Sequence, residues 1–221
     1  MIFVGHNTGA QIRYNHVYGG GLGIIIKSSG LTDPTAVIMY NVVTNCKQAI
    51  RLKGVPNVTI IGNTVYADNI DNHSGIYIDD NLGGDDSSGC TIKNNIVYTT
   101  STVTTNTLVY VKTGSQTGLD MDYNCLKADG AASYGDIAGT AYATHALLVA
   151  AGYNANGQSN NPQFNSAPSY DFTLETNSPC LDSGENLGTN YDYGQDYSNV
   201  SLSDVVTKQQ ADVWDLGAYI I

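Results

Sequence analysis

Apolar and polar residues alternate with period two through much of the first 127 residues, the pattern of strands with one buried face. The pattern also recurs. Ile12-Arg-Tyr-Asn15-His-Val17, Ile38-Met-Tyr-Asn41-Val-Val43, Ile60-Ile-Gly-Asn63-Thr-Val65, Ile92-Lys-Asn-Asn95-Ile-Val97 and Met121-Asp-Tyr-Asn124-Cys-Leu126 align without gaps. A second short strand follows each of the first four blocks, at Gly23–Lys27, Ala49–Lys53, Gly75–Asp79 and Leu108–Lys112. The Asn-to-Asn spacings are 26, 22, 32 and 29 residues, with no helical segment between them. Strands at such a period predict coils of a parallel β-helix, in which each coil buries its apolar face only against its neighbours. The expected fold class is therefore all-β, a single-stranded parallel β-helix of about five coils.

The Asn column is predicted to be structural. Asn tolerates the left-handed backbone of a tight corner, and stacked Asn side chains hydrogen-bond along the ladder. The longer spacings place insertions at residues 68–73, 79–89 and 99–107. Beyond residue 127 the periodicity stops. Residues 128–142 are rich in Ala and Gly, and 143–151 predict one short helix closed by Gly152. Irregular Asn- and Pro-containing chain follows. A stacked solenoid needs its last coil covered, because its edge is otherwise a pairing template. The organisation read from this is coils over 1–127 and a C-terminal cap over 128–221, in one domain.

Composition narrows the class. Nine Lys and Arg face twenty Asp and Glu, for a net charge of −11, and only 13% of residues are charged. About a quarter is usual, so neutral Asn, Thr, Ser and Tyr must cover the surface. The acidity argues against a nucleic-acid partner, whose binding rests on phosphate neutralisation. No apolar run reaches the roughly 20 residues of a membrane span. Met1-Ile-Phe-Val lacks the features of a signal peptide. Cys46, Cys90, Cys125 and Cys180 have no metal-ligand spacing. They read as buried free thiols, with one disulfide as the alternative.

The coils match the consensus v-x-I-x-x-N-x-i followed by G-I-x-l, and in this the chain resembles the right-handed parallel β-helix superfamily of pectate-lyase-like proteins. Pro162-Gln-Phe164, Phe172-Thr-Leu174, Ser178-Pro179-Cys-Leu-Asp182-Ser-Gly184 and Asp215-Leu-Gly217-Ala-Tyr219 resemble the tail of many secreted bacterial β-helix proteins. The resemblance implies right-handed winding, a secreted or cell-surface location and a polysaccharide partner. It also implies more coils and an N-terminal capping helix. Residues 1–9 offer only a partial strand, so missing N-terminal coils or a homo-oligomeric partner is expected there. The fold carries lyases, hydrolases, epimerases, adhesins and tailspikes, so function has to be argued from a site.

The second strands predict two outward columns. One holds Ile25, Arg51, Tyr77 and Tyr110; the other holds Lys27, Lys53, Asp79 and Lys112. Four of the nine basic residues lie on these four strands. A flat cationic strip with two aromatic rings suits an acidic sugar chain. Lysis of a uronic-acid polymer needs a neutraliser for the carboxylate, a base for the C5 proton and an acid for the leaving oxygen. Family lyases use Lys or Arg as base. By position, Lys53 or Lys27 is the candidate base, Arg51 the neutraliser, and Tyr77 or Tyr110 the proton donor. Lys112 extends the binding strip, and His73 stands just before it as a candidate shuttle. Asp79, Asp80, Asp85 and Asp86 form the densest acidic run and a candidate Ca²⁺ site; no other cofactor is required. Asp79 with Asp80 or Asp85 is also a candidate hydrolase pair. The alternative to all of these is a non-catalytic adhesion or assembly module. Tyr18, Tyr66 and Tyr98 share one repeat position, with Thr44 between, and read as an outer stacking ladder.

Overall fold

A computed structural model describes residues 1–5, 9–28, 35–71, 73–80, 84–130, 132–196 and 207–220. The chain forms a parallel β-solenoid with three strand faces. The first face is built from Ala10–Arg13, Ala36–Met39, Val58–Ile61, Thr91–Lys93 and Asp120–Asp122. The chain turns a corner at each Asn and enters the second face, which includes Thr64–Ala67, Ile96–Thr99 and Cys125–Ala128. The third face includes Ser74–Asp79, Thr107–Val111 and Ser133–Ile137. In the two early coils single long strands, His16–Lys27 and Val42–Lys53, run through both of these faces.

The register reproduces the sequence repeat. Ile12, Ile38, Ile60, Ile92 and Met121 stack on the first face. Val17, Val43, Val65, Val97 and Leu126 stack on the second. Ile24, Ile50, Ile76 and Val109 stack on the third. All of these are buried in one core. At roughly 1.5–3 kcal/mol per buried aliphatic side chain, these three columns are the main apolar contribution to stability. Between the second and third faces the coils approach closely. A Cβ at Gly75 would sit 2.6 Å from the Leu108 carbonyl oxygen, which accounts for the glycine there.

The Asn column forms, with one difference in its mechanism. Each Asn side-chain oxygen accepts from both the backbone N–H and the side-chain amide of the Asn one coil earlier. Asn41 donates to Asn63 Oδ1 at 3.0 and 2.9 Å, and Asn63 to Asn95 Oδ1 at 2.9 and 3.0 Å. Asn95 to Asn124 and Asn124 to Asn154 repeat the arrangement. Each interior amide also donates to carbonyls of its own and the preceding coil, as Asn63 does to Ile61 and Ile38. The left-handed residue of each corner is the one before the Asn: Tyr14, Tyr40, Gly62, Asn94 and Tyr123 have φ between 53° and 59°. The Asn is thereby left to project along the column.

The solenoid has about seven turns rather than five. Ile2–Gly5 pairs in parallel with Ile24–Lys27 ahead of the first repeat. Ser133–Ile137 pairs with Thr107–Val111, and Asn154 and Gln158 extend the Asn column and the second face. Past Ile137 the chain reverses into Thr140–Tyr142, and the helix His145–Ala150 lays Leu148 over the end of the core. Thr144 caps this helix through its side chain, which accepts from Leu147 N–H.

Residues 158–196 and 207–220 then run back along the solenoid. The hairpin Phe164–Ser166 and Asp171–Leu174 places Phe164 and Phe172 on Tyr66 and Tyr98. Further on, Gly217 N–H donates to Asn94 O, Ala218 N–H to Thr64 Oγ1, Gln195 Nε2 to Tyr40 O, and Tyr14 OH to Tyr193 O. These contacts descend rung by rung along the Asn corner. All four cysteines are buried free thiols. No helix among the described residues is long and apolar enough to cross a membrane.

Replacing Asn63 with Ala removes two donors and one acceptor at a fully buried position and leaves the Asn41 N–H without its partner. At about 1 kcal/mol per hydrogen bond plus the cost of orphaned groups, the loss should be roughly 3 kcal/mol. Urea unfolding of Asn63→Ala checks it; a loss no larger than that of an exposed substitution such as Asn190→Ala would contradict it.

Candidate functional site

The strand pairing extends both columns of the third face, in which Phe3 and Lys27 are exposed, Arg51, Lys53, Tyr77 and Tyr110 are half-buried, and Ile25 and Asp79, expected to face outward, are buried. The register Phe3, Ile25, Arg51, Tyr77, Tyr110, Asp136 is continuous over six rungs. Beside it run Gly5, Lys27, Lys53 and Asp79, with Lys112 on the next rung. Phe3 and Asp136 were not evident as members from the repeat alone. Their strands lie outside the aligned blocks, and only pairing places them in the column.

The centre of the face is an organised cluster. Tyr77 and Tyr110 stack with ring centroids 4.4 Å apart and planes 14° from parallel. The Arg51 guanidinium lies 5.1 Å from the Tyr77 ring centroid, a cation–π contact on an already stacked pair. Arg51 also donates from Nη2 to Asp79 Oδ2 at 2.8 Å and from Nη1 to Gln48 Oε1 at 2.9 Å. Lys112 Nζ lies 2.5 Å from Asp80 Oδ1 and 3.7 Å from Asp79 Oδ1. Asp80 N–H donates to Asp79 Oδ1 at 3.0 Å, which fixes the two carboxylates relative to each other.

Arg51, Asp79, Asp80 and Lys112 are thus brought together, and they neutralise one another. Lys27 is exposed and Lys53 half-buried, and neither makes an ion pair among the described residues. The positive charge left over therefore lies on the N-terminal half of the face. The Lys112 hydrogen bond holds the Asp80 carboxyl below its ordinary range, and Asp80 in turn raises the Lys112 ammonium. Asp80 is kept ionised, which is the opposite of what a general acid needs. Burial, with Asp79 close by, raises the Tyr77 hydroxyl.

His73 sits apart from this surface. It is fully buried, with Nδ1 2.9 Å from the Cys46 carbonyl oxygen and Nε2 without a hydrogen-bond partner. Its backbone N–H donates to Asn106 Oδ1. The acidic loop has Asn81, Leu82 and Gly83 outside the described residues. Asp79 and Asp80 oxygens are taken by Arg51 and Lys112, and Asp86 packs against Gly114. Calcium takes six to eight oxygens. Among the described residues no group of three acidic, His or Cys side chains converges to hold a metal ion.

Comparison with known proteins returns no match: no family model, no curated protein and no solved structure is similar to the chain.

Burial pushes the His73 imidazole down, and does the same to His145. In the unfolded chain both titrate near 6.5. The unfolded state therefore binds more protons in acid, and their contribution to stability is complete above about pH 6.5 and is lost as pH falls through that value. Melting temperature should drop between about pH 7 and 5, ahead of carboxylate titration. His73→Asn should flatten that slope; an unchanged slope would contradict the assignment.

Proposed function

We propose that the third face binds an acidic polysaccharide laid along the solenoid axis, across successive rungs. The observation that carries this reading is the Arg51–Tyr77–Tyr110 stack standing next to Lys27 and Lys53, which make no ion pair among the described residues. Rungs repeat at about 4.8 Å, close to the length of one pyranose unit in an extended chain. Each sugar can therefore meet one rung. The two tyrosines are half-buried, and their outward ring edges offer apolar contact for sugar C–H groups. Lys27 and Lys53 offer charge-assisted hydrogen bonds to carboxylate or sulfate. Asp136, on the last rung of the column, supplies an acceptor for hydroxyls.

The resemblance to pectate-lyase-like proteins, and with it a secreted or cell-surface setting, is consistent with such a partner. Binding is favoured over lysis by the pairing of Arg51. A substrate carboxylate would have to displace Asp79 before Arg51 could neutralise it. A hydrolase reading is disfavoured by Lys112, which lies against both carboxylates and keeps Asp80 ionised.

Titration against alginate, polygalacturonate and a sulfated glycosaminoglycan tests the proposal. Binding to at least one is expected, weakening as salt rises through the Debye regime. Tyr77→Ala and Lys53→Ala should each weaken it about tenfold, or about 1.4 kcal/mol. No binding across the panel, or binding indifferent to both substitutions, would contradict it. Ultraviolet absorbance from new unsaturated ends would instead identify a lyase. Reducing ends released without it, and lost in Asp79→Asn, would identify a hydrolase.

A further inference from the structure

We propose that the second face carries a pocket for a neutral, phenol-sized ring, formed where the tyrosine column skips one rung. Pairing puts Tyr18, Thr44, Tyr66 and Tyr98 at the same position of successive coils. Tyr66 and Tyr98 are buried beneath Phe164 and Phe172. Thr44 brings no ring to its rung, and the described residues of the returning chain do not fill the space. A cavity of about 360 Å³ remains there, walled by Tyr18, Val42, Thr44, Tyr170 and Phe172, with His16 at one end.

The walls specify the occupant. Tyr18 and Tyr170 meet edge to face at 5.1 Å, and Phe172 meets Tyr66 at 5.3 Å. A ring placed between these pairs continues the same contacts, each with the geometry that aromatic side chains favour. Among the described residues no carboxylate, Lys or Arg lines the cavity, which favours a neutral ligand. Its volume exceeds the roughly 150 Å³ of a dry cavity that takes up benzene, so a substituted ring fits. The His16 wall is fixed, with Nε2 3.0 Å from Gln195 Oε1 and 3.2 Å from Tyr219 OH. Tyr18 is 66% exposed and Tyr170 48% exposed at the mouth, a solvent-facing aromatic pair of the kind that marks a recognition site. The pocket is on a different face from the Arg51 cluster and does not depend on the polysaccharide reading.

The missing group on the Thr44 rung is a tyrosine side chain, so p-cresol, that side chain as a free molecule, is the probe. Titration by calorimetry or proton NMR should show saturable p-cresol binding to the full chain. Thr44→Tyr should fill the gap, weaken binding at least tenfold and raise the melting temperature. Tyr170→Ala removes one exposed wall, where folding is not at stake, and should weaken binding about tenfold. If Thr44→Tyr fails to fold, the Tyr170→Ala comparison decides alone. Absence of saturable p-cresol binding, unchanged affinity in Tyr170→Ala, or tighter binding of a methyl glycoside than of p-cresol would each overturn the proposal.

Discussion

The structure depends on one repeated hydrogen-bond arrangement, the column of Asn side chains at the first corner. Each Asn closes its own corner, accepts twice from the coil before and donates to the coil after. A buried amide left unpaired is costly, and here each interior amide is satisfied only if the next coil stands one rung away in register. The column therefore converts local turn chemistry into long-range alignment. Apolar burial alone is less demanding. Sliding one coil by two residues would still present aliphatic side chains to the core, but it would break the amide contacts on both sides. Strand register is otherwise specified mainly by which face is buried.

The returning C-terminal chain depends on the same corner. The left-handed residue before each Asn turns a carbonyl or a ring outward, and the tail docks on these groups at Tyr14, Tyr40 and Asn94. That docking covers the Asn corner and much of the second face. On the third face Arg51, Tyr77 and Tyr110 stand half-buried. One candidate site lies on the third face, and the other is the gap that the described residues of the tail leave above Thr44.

The coils were legible in the sequence because the solenoid is periodic. Ile12, Ile38, Ile60 and Ile92 occupy equivalent positions in sequence and in space, so alignment alone yields the pairing. Asn154 escaped because a hairpin and a helix separate it from Asn124. The signal was present, since Tyr153-Asn154 repeats Tyr14-Asn15, Tyr40-Asn41 and Tyr123-Asn124. The path of the tail was not legible. Its contacts run through backbone carbonyls, which every residue owns, and through single hydroxyls such as Thr64. The members of the third-face columns were foreseeable. Their mutual neutralisation was not, because Arg51 reaches Asp79 diagonally on the adjacent rung and only the side-chain conformations bring them together. His73 read from the sequence as a candidate shuttle, and neither its burial nor its partner, the Cys46 carbonyl of the preceding coil, was foreseeable.

The central claim is that the Asn column holds the coils in register, and proton exchange of its side-chain amides tests it most directly. In a ¹⁵N-resolved NMR experiment, the Nδ2 protons of Asn41, Asn63, Asn95 and Asn124 should exchange with solvent far more slowly than those of the exposed Asn69 and Asn190. Their protection should approach that of the core strand amides, because release requires local unfolding of a coil. Exchange at the rate of the exposed asparagines, in a folded chain, would show that the column is not the structural constraint described here.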